Sequence, residues 1–246
     1  MLRIGWCLLL CLAISSALAQ QVREQPPLYS GPHVQVPGVF VPPISGVPFT
    51  ATVMIQSKQP LPDGTVETQV SQETIARDSR GRILNERRAL MPEGFKGTPP
   101  LVGSHIFDPA TRISYMMNPM TMIAREQRVP PPPGNSDIPG GRTEDLGYST
   151  LNRLRAKGTR IFREIPAAAS GTGKAVTIWD ETWYSEELHL NLLEEHMDVR
   201  GGSQTLAIVS IKREEPPTAL FVVPPGYKIV DLTPPSNAPI ARQPEH

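Results

Sequence analysis

Two tryptophans, Trp179 and Trp183, stand four residues apart with Glu181 midway between them. In a β-strand, side chains of one parity share a face, which places the two indoles roughly 13 Å apart at about 3.3 Å per residue. Two large aromatics on one sheet face can line a ligand groove, and packing beneath a neighbouring segment accounts for them equally well. A carboxylate between them is costly to bury unpaired. The face is therefore expected to be partly open, or Glu181 to pair with an arginine of the preceding strand, Arg160 and Arg163 being the candidates. Met116, Met117, Met120 and Met122 crowd around one turn. Methionine adapts to irregular apolar surfaces, so these four are candidates for the flexible wall of such a groove, with gap-filling core as the alternative.

Other chemistry is sparse. Ser170-Gly171-Thr172-Gly173-Lys174 suggests a phosphate loop, but Ala168 stands where the motif needs glycine and Ala175 where it needs Ser or Thr. A flexible turn fits better. The histidines His33, His105, His189, His196 and His246 form no H-x-x-x-H pair. His189 and His196 would share a face only across a bulge, beside Glu194, Glu195 and Asp198. No G-x-S-x-G occurs, and adjacent carboxylates such as Glu194 and Glu195 point apart on a strand, so they do not make a glycosidase pair. The expectation is a non-catalytic protein without metal or other cofactor.

The elements that must position these residues begin after a leader. Arg3, the apolar run Ile4–Ile14 and Ala17-Leu18-Ala19 make a secretory signal peptide over residues 1–19, cut between Ala19 and Gln20. A retained anchor is the alternative, though the run is short of the roughly 20 residues a spanning helix needs. Both cysteines, Cys7 and Cys11, lie within this leader, so the exported chain would fold without disulfides. Localisation is expected to be periplasmic or extracellular. With 24 Lys+Arg against 24 Asp+Glu, no long-range attraction to nucleic acid is expected.

Proline is abundant, 28 residues where average usage gives about 12, and proline breaks helix interiors. Residues 20–48 hold seven prolines and read as an extended leader, lying over the domain or disordered. From Phe49, apolar residues alternate with polar ones in the period of a half-buried strand. Asp78-Ser79-Arg80-Gly81 closes a hairpin. Asp108-Pro109 and Asn118-Pro119 divide residues 104–128 into a three-strand meander. Residues 129–142 read as a Pro/Gly-rich loop, 167–173 as a mobile connection, 217–221 as at most one helical turn, and 233–246 as a tail. The phase of alternation becomes ambiguous near Leu193, which suggests a bulge. The sum is one mainly β domain over residues 49–232. It is a curved antiparallel sheet or half-barrel of about nine to eleven strands, with a β-sandwich as second choice.

Two resemblances follow from particular stretches. Glu181-Thr182-Trp183-Tyr184-Ser185-Glu186-Glu187-Leu188 resembles an E-x-W-Y-S-x-x-L motif of uncharacterised secreted bacterial proteins. Gly158-Thr159-Arg160 and Ile165-Pro166-Ala167 precede it as they do in that group. Arg213-Glu214-Glu215-Pro216, Leu220-Phe221 and Val223-Pro224-Pro225-Gly226-Tyr227 follow it. More distantly, Leu220-Phe221 with Pro224-Pro225-Gly226 resembles the C-terminal end of the outer-membrane lipoprotein carriers, the LolA/LolB-like family. That resemblance implies a half-barrel whose concave face holds acyl chains, although the carriers' N-terminal amphipathic helix has no counterpart in the proline-rich residues 20–48. The functional expectation is an envelope binding module for an apolar or lipid-like ligand. A structural or protein-interaction module of the envelope is the alternative, and an unrecognised hydrolase a third.

Overall fold

The computed structural model describes residues 39–131 and 141–233. The expected signal peptide with its cleavage point at Ala19 and Gln20, most of the proline-rich leader, the centre of the 129–142 loop and nearly all of the tail lie outside the described residues. Thirteen strands form: β1 (Phe49–Pro60), β2 (Val66–Arg77), β3 (Ile83–Arg88), β4 (Met91–Pro92), β5 (Leu101–Asp108), β6 (Ile113–Asn118), β7 (Ile123–Arg128), β8 (Arg142–Leu151), β9 (Leu154–Ile165), β10 (Val176–Ser185), β11 (Leu190–Asp198), β12 (Gly202–Lys212) and β13 (Lys228–Asp231). The fold is mainly β, as the alternation predicts. The count exceeds nine to eleven because β4 spans only two residues and β13 only four.

One open sheet contains them all, in the order β13-β7-β6-β5-β3-β2-β1-β12-β11-β10-β9-β8, with β4 paired to β2. Every neighbour is antiparallel except β13, which runs parallel to β7. That pair departs from the all-antiparallel expectation: the chain leaves β12, crosses the 3-10 turn Thr218–Phe221 and returns along the far edge. Two connections take definite form. Within the connection 167–173, residues 167–170 form one helical turn, α1, with the Ser170 carbonyl bonded by Arg200 Nη1 at 3.1 Å. The 129–142 loop ends one residue early, since Arg142 already opens β8.

Turn chemistry sets the connections. Asp108 Oδ1 accepts the Ala110 N–H at 2.8 Å, and Asn118 Oδ1 accepts the Met120 N–H at 2.9 Å, the Asx turns that make Asp and Asn initiate hairpins. Gly81, at φ 83°, closes the β2–β3 hairpin. The bulge falls at Leu192, between the pairs Trp183/Leu193 and Tyr184/Asn191.

Each face of the sheet carries a core cluster. The larger unites Phe49, Val53 and Ile55 of β1 with Leu206 and Ile208 of β12 and with Leu188, Leu190 and Leu192. Val39 and Val41, the described end of the proline-rich leader, are buried within it. The smaller cluster is formed by Ala76, Leu84, Ile106, Met117 and Ala124, and Phe221 covers it. Two contacts show that the sheet curls. Asn152, at the β8–β9 turn, bonds the Ile208 carbonyl of β12, although β10 and β11 lie between along the sheet. Arg77 of β2 donates to the Leu188 carbonyl at 2.7 Å, in the β10–β11 turn. The same guanidinium donates to Val47 O at 3.0 Å and Pro42 O at 2.9 Å, and lies 5.0 Å from the Phe49 ring centroid. Arg77 is completely buried. Burial pulls its guanidinium below the usual arginine value, because carbonyl dipoles and a ring replace its water.

Candidate functional site

Strand register builds the candidate face. Trp179 stands opposite Phe162, Glu181 opposite Arg160 and Trp183 opposite Gly158. On the other side of β9, Arg142 stands opposite Phe162 and Glu144 opposite Arg160. Directly opposed residues present their side chains to one face, so aromatics and arginines interleave there. Arg142 lies 4.0 Å from the Phe162 centroid, and Arg160 lies 4.8 Å from that of Trp179. These are cation–π distances.

Glu181 is buried and paired. Arg160 Nε donates to its Oε2 at 2.9 Å, and Trp183 Nε1 donates to its Oε1 at 2.7 Å. Of the two arginines the sequence nominates, Arg160 is the partner; Arg163, one parity off, pairs with Asp180 on the opposite face. With both oxygens bonded, Glu181 no longer requires an open face. Openness rests instead on Trp179 and Phe162, which are half-buried.

The two tryptophans differ in role. Trp183 packs against the larger core cluster. A Cβ on Gly158 would sit 2.8 Å from two Trp183 ring atoms, so the indole fills the space glycine leaves open, an aromatic cover for a strand glycine. Trp179 belongs to neither cluster. Next to its partner Phe162 opens a cleft of about 820 Å³, lined by Arg142, Phe162, Arg163, Ile165, Thr177 and Ile178 among others.

The methionines do not form one wall. Met117 is core in the smaller cluster, while Met116, the adjacent strand residue, points to the other face and is 47 % exposed. Met120 projects from the turn at 86 % exposure, and Met122, at φ 52°, lies against Gly226. Between β6 and β10 the sheet interposes β5, β3, β2, β1, β12 and β11. Trp183 thus belongs to the larger cluster and Met117 to the smaller.

The histidines are also separated. His189 Nδ1 meets the Tyr184 hydroxyl at 3.3 Å, whereas His196 Nδ1 meets Asp180 Oδ1 at 2.6 Å. Among the described residues no group of three or more His, Cys, Asp or Glu is placed to hold a metal ion. Beside His196, burial raises Glu194 above the usual carboxylate range, with the Asp180 charge acting the same way. Glu195, opposite Glu181, is raised by burial and then by the Glu181 charge.

Sequence reasoning missed Glu73. It lies in β2 at 6 % exposure, its Oε1 accepting the Arg88 N–H at 3.2 Å, and burial raises it above the usual carboxylate value of 4.5. The alternating burial of β2 (Ser71 and Glu73 with Ile75) is the signal that marks it as inward-facing. Folded protein holds this proton more tightly than unfolded chain. Stability therefore falls as pH rises from 4.5 through the higher folded value, and the effect is absent below 4.5, where both states are protonated. Glu73→Gln, which keeps an acceptor for Arg88, is expected to melt higher than wild type at pH 7. That advantage should vanish near pH 4, as followed by thermal denaturation across pH.

No protein-family model matches the chain, and no curated protein matches it. Solved structures do. An uncharacterised conserved protein from Thermus thermophilus is similar at TM-score 0.42 and 14 % identity, over 75 % of this chain and 90 % of that one. The MucA/MucB complex of Pseudomonas aeruginosa gives TM-score 0.42 at 10 % identity, over 74 % of this chain and 58 % of that one. A LolA superfamily protein from Nitrosomonas europaea gives 0.30 at 11 %, over 72 % and 90 %. At these TM-scores the likeness assigns neither ligand nor partner.

Proposed function

We propose that this chain is an exported, non-catalytic binding protein of the cell envelope, and that it takes an apolar, lipid-like ligand on the face of β8, β9 and β10. The observation that carries this is the half-buried Trp179–Phe162 pair beside the 820 Å³ cleft. Ligand sites fall at about 300–1,000 Å³ and combine aromatic walls with a few placed polar groups. Phe162 supplies apolar wall on that face and Arg142 a cation at the rim, while Ile165 and Ile178, of the opposite parity, line the cleft from the other side of the sheet. Binding rather than turnover is the reading because both oxygens of the Glu181 carboxylate on this face are already bonded, by Arg160 and Trp183.

A protein partner is the second reading. The larger core cluster is filled by the chain's own Val39, Val41 and Leu188. Among the described residues, edge strand β8 has no neighbour on its outer side. An open strand edge can accept an extended peptide.

Mass spectrometry of protein recovered from its native envelope distinguishes the two. Co-purified lipid in about one-to-one amount is the expected result. A stoichiometric polypeptide without lipid would favour the partner reading.

A further inference from the structure

The sheet splits between β2 and β3. Their ladder holds only for Ile75/Asn85, Ala76/Leu84 and Arg77/Ile83. Further along, β3 continues to pair with β5 through Arg88, while β2 takes β4 as its neighbour at Gln69 and Val70. Over Ser71–Thr74 no strand among the described residues pairs with β2 on that side. Two side chains bridge the gap in place of main chain: Ser71 Oγ donates to the Arg88 carbonyl at 3.2 Å, and Glu73 Oε1 accepts the Arg88 N–H at 3.2 Å. Into this split opens a cavity of about 270 Å³ with Ile55, Ala89, Leu90 and Val102 as apolar walls and Glu73 on its lining.

Glu73 carries a polar surplus that the fold does not use. Among the described residues its Oε2 accepts no hydrogen bond, and no basic side chain forms an ion pair with it. Of the two arginines on the lining, Arg88 is committed elsewhere, its guanidinium bonding Glu86 Oε2 at 3.1 Å and Pro99 O at 3.0 Å, and Arg87 acts on Glu73 through its charge without bonding it. A buried carboxylate without a counter-ion is costly. Burial raises its proton affinity, outweighing the Arg88 N–H and the charges of Arg87 and Arg88, which act the other way. The cavity equals about nine water volumes of about 30 Å³ each, room for a chain of some six carbons.

We propose that the split between β2 and β3 is a binding site for a small primary ammonium ion with an apolar body, its N–H groups on Glu73 Oε2 and its hydrocarbon against Ile55, Leu90 and Val102. A charge-assisted hydrogen bond is stronger than a neutral one, so the cation is favoured over an alcohol of the same length. The exposed Arg87 stands at the rim. It would draw an anion to the mouth, while the lining acid excludes one from the interior. This site lies on β2 and β3, away from the tryptophans of β10, and stands or falls independently of the lipid reading.

The test uses n-hexylamine, n-hexanol and hexanoate, each titrated at pH 7 into the whole protein and followed by heteronuclear NMR. Hexylammonium is expected to shift the Ser71, Glu73, Ala89 and Leu90 amides saturably, hexanol at least tenfold more weakly, and hexanoate not at those residues. Glu73→Gln is expected to weaken hexylammonium at least tenfold. Ala89→Leu, which fills the cavity while leaving Glu73 in place, is expected to abolish binding of both amine and alcohol. Equal affinity of wild type and Glu73→Gln for hexylammonium would overturn the proposal, as would binding that survives Ala89→Leu or an absence of amide shifts in wild type.

Discussion

Replacing Arg77 with methionine is expected to cost about 3–6 kcal/mol. The guanidinium serves three carbonyls, those of Pro42, Val47 and Leu188, which lie 35, 30 and 111 residues away in sequence. Each buried acceptor left without a donor costs about 1–3 kcal/mol. Methionine matches much of the hydrophobic volume, so the loss isolates hydrogen bonding and charge from packing. Domains have about 5–15 kcal/mol in total, so the variant should lose a large share. Arg77→Lys keeps a charge but has no planar fork to span three acceptors, and should recover less than half. Urea denaturation measures both, and a loss below about 1 kcal/mol for the methionine variant would mean that the three segments hold together without this residue.

Gly158→Val is expected to be the second most damaging change, at about 2–4 kcal/mol. A Cβ there would approach two Trp183 ring atoms at 2.8 Å and Leu146 Cβ at 2.9 Å. Overpacking of this kind costs about 1–3 kcal/mol. Moving the indole also breaks the 2.7 Å bond from Trp183 Nε1 to Glu181, leaving a buried carboxylate oxygen unpaired. The variant should therefore show lower thermal stability together with a red-shifted tryptophan emission. Wild-type emission with lowered stability would place the strain on Leu146 instead.

The face of the candidate site was legible because strand parity is a local property. Trp179, Glu181 and Trp183 could be assigned one face from spacing alone, and Arg160 could be nominated as partner because the preceding strand runs back alongside. The choice between Arg160 and Arg163 needed the register, which sets Arg160 directly across. The two Pro turns of the β5–β7 meander were equally local. What stayed hidden is long-range. Nothing near Arg77 signals that its partners come from the leader and the β10–β11 turn, and an arginine ending a strand reads as exposed. The parallel pairing of β13 with β7 depends on where the chain returns after Phe221, not on the pattern of Lys228–Asp231. The four methionines misled because density in sequence is not density in space: adjacent strand residues part to opposite faces.

On the proposed function, the Trp179 face binds an apolar, lipid-like ligand. Of the three tryptophans in the chain, Trp6 lies within residues 1–19, so emission of the chain without those residues reports on Trp179 and Trp183 alone. Titration with a lysophospholipid below its critical micelle concentration is the most direct measurement. A saturable change in emission is predicted. Trp179→Ala should weaken binding about tenfold, roughly 1.4 kcal/mol, with an unchanged melting temperature, since that indole packs in neither core cluster. Emission indifferent to lipid, with Trp179→Ala merely lowering the melting temperature, would contradict the claim and identify both tryptophans as structural.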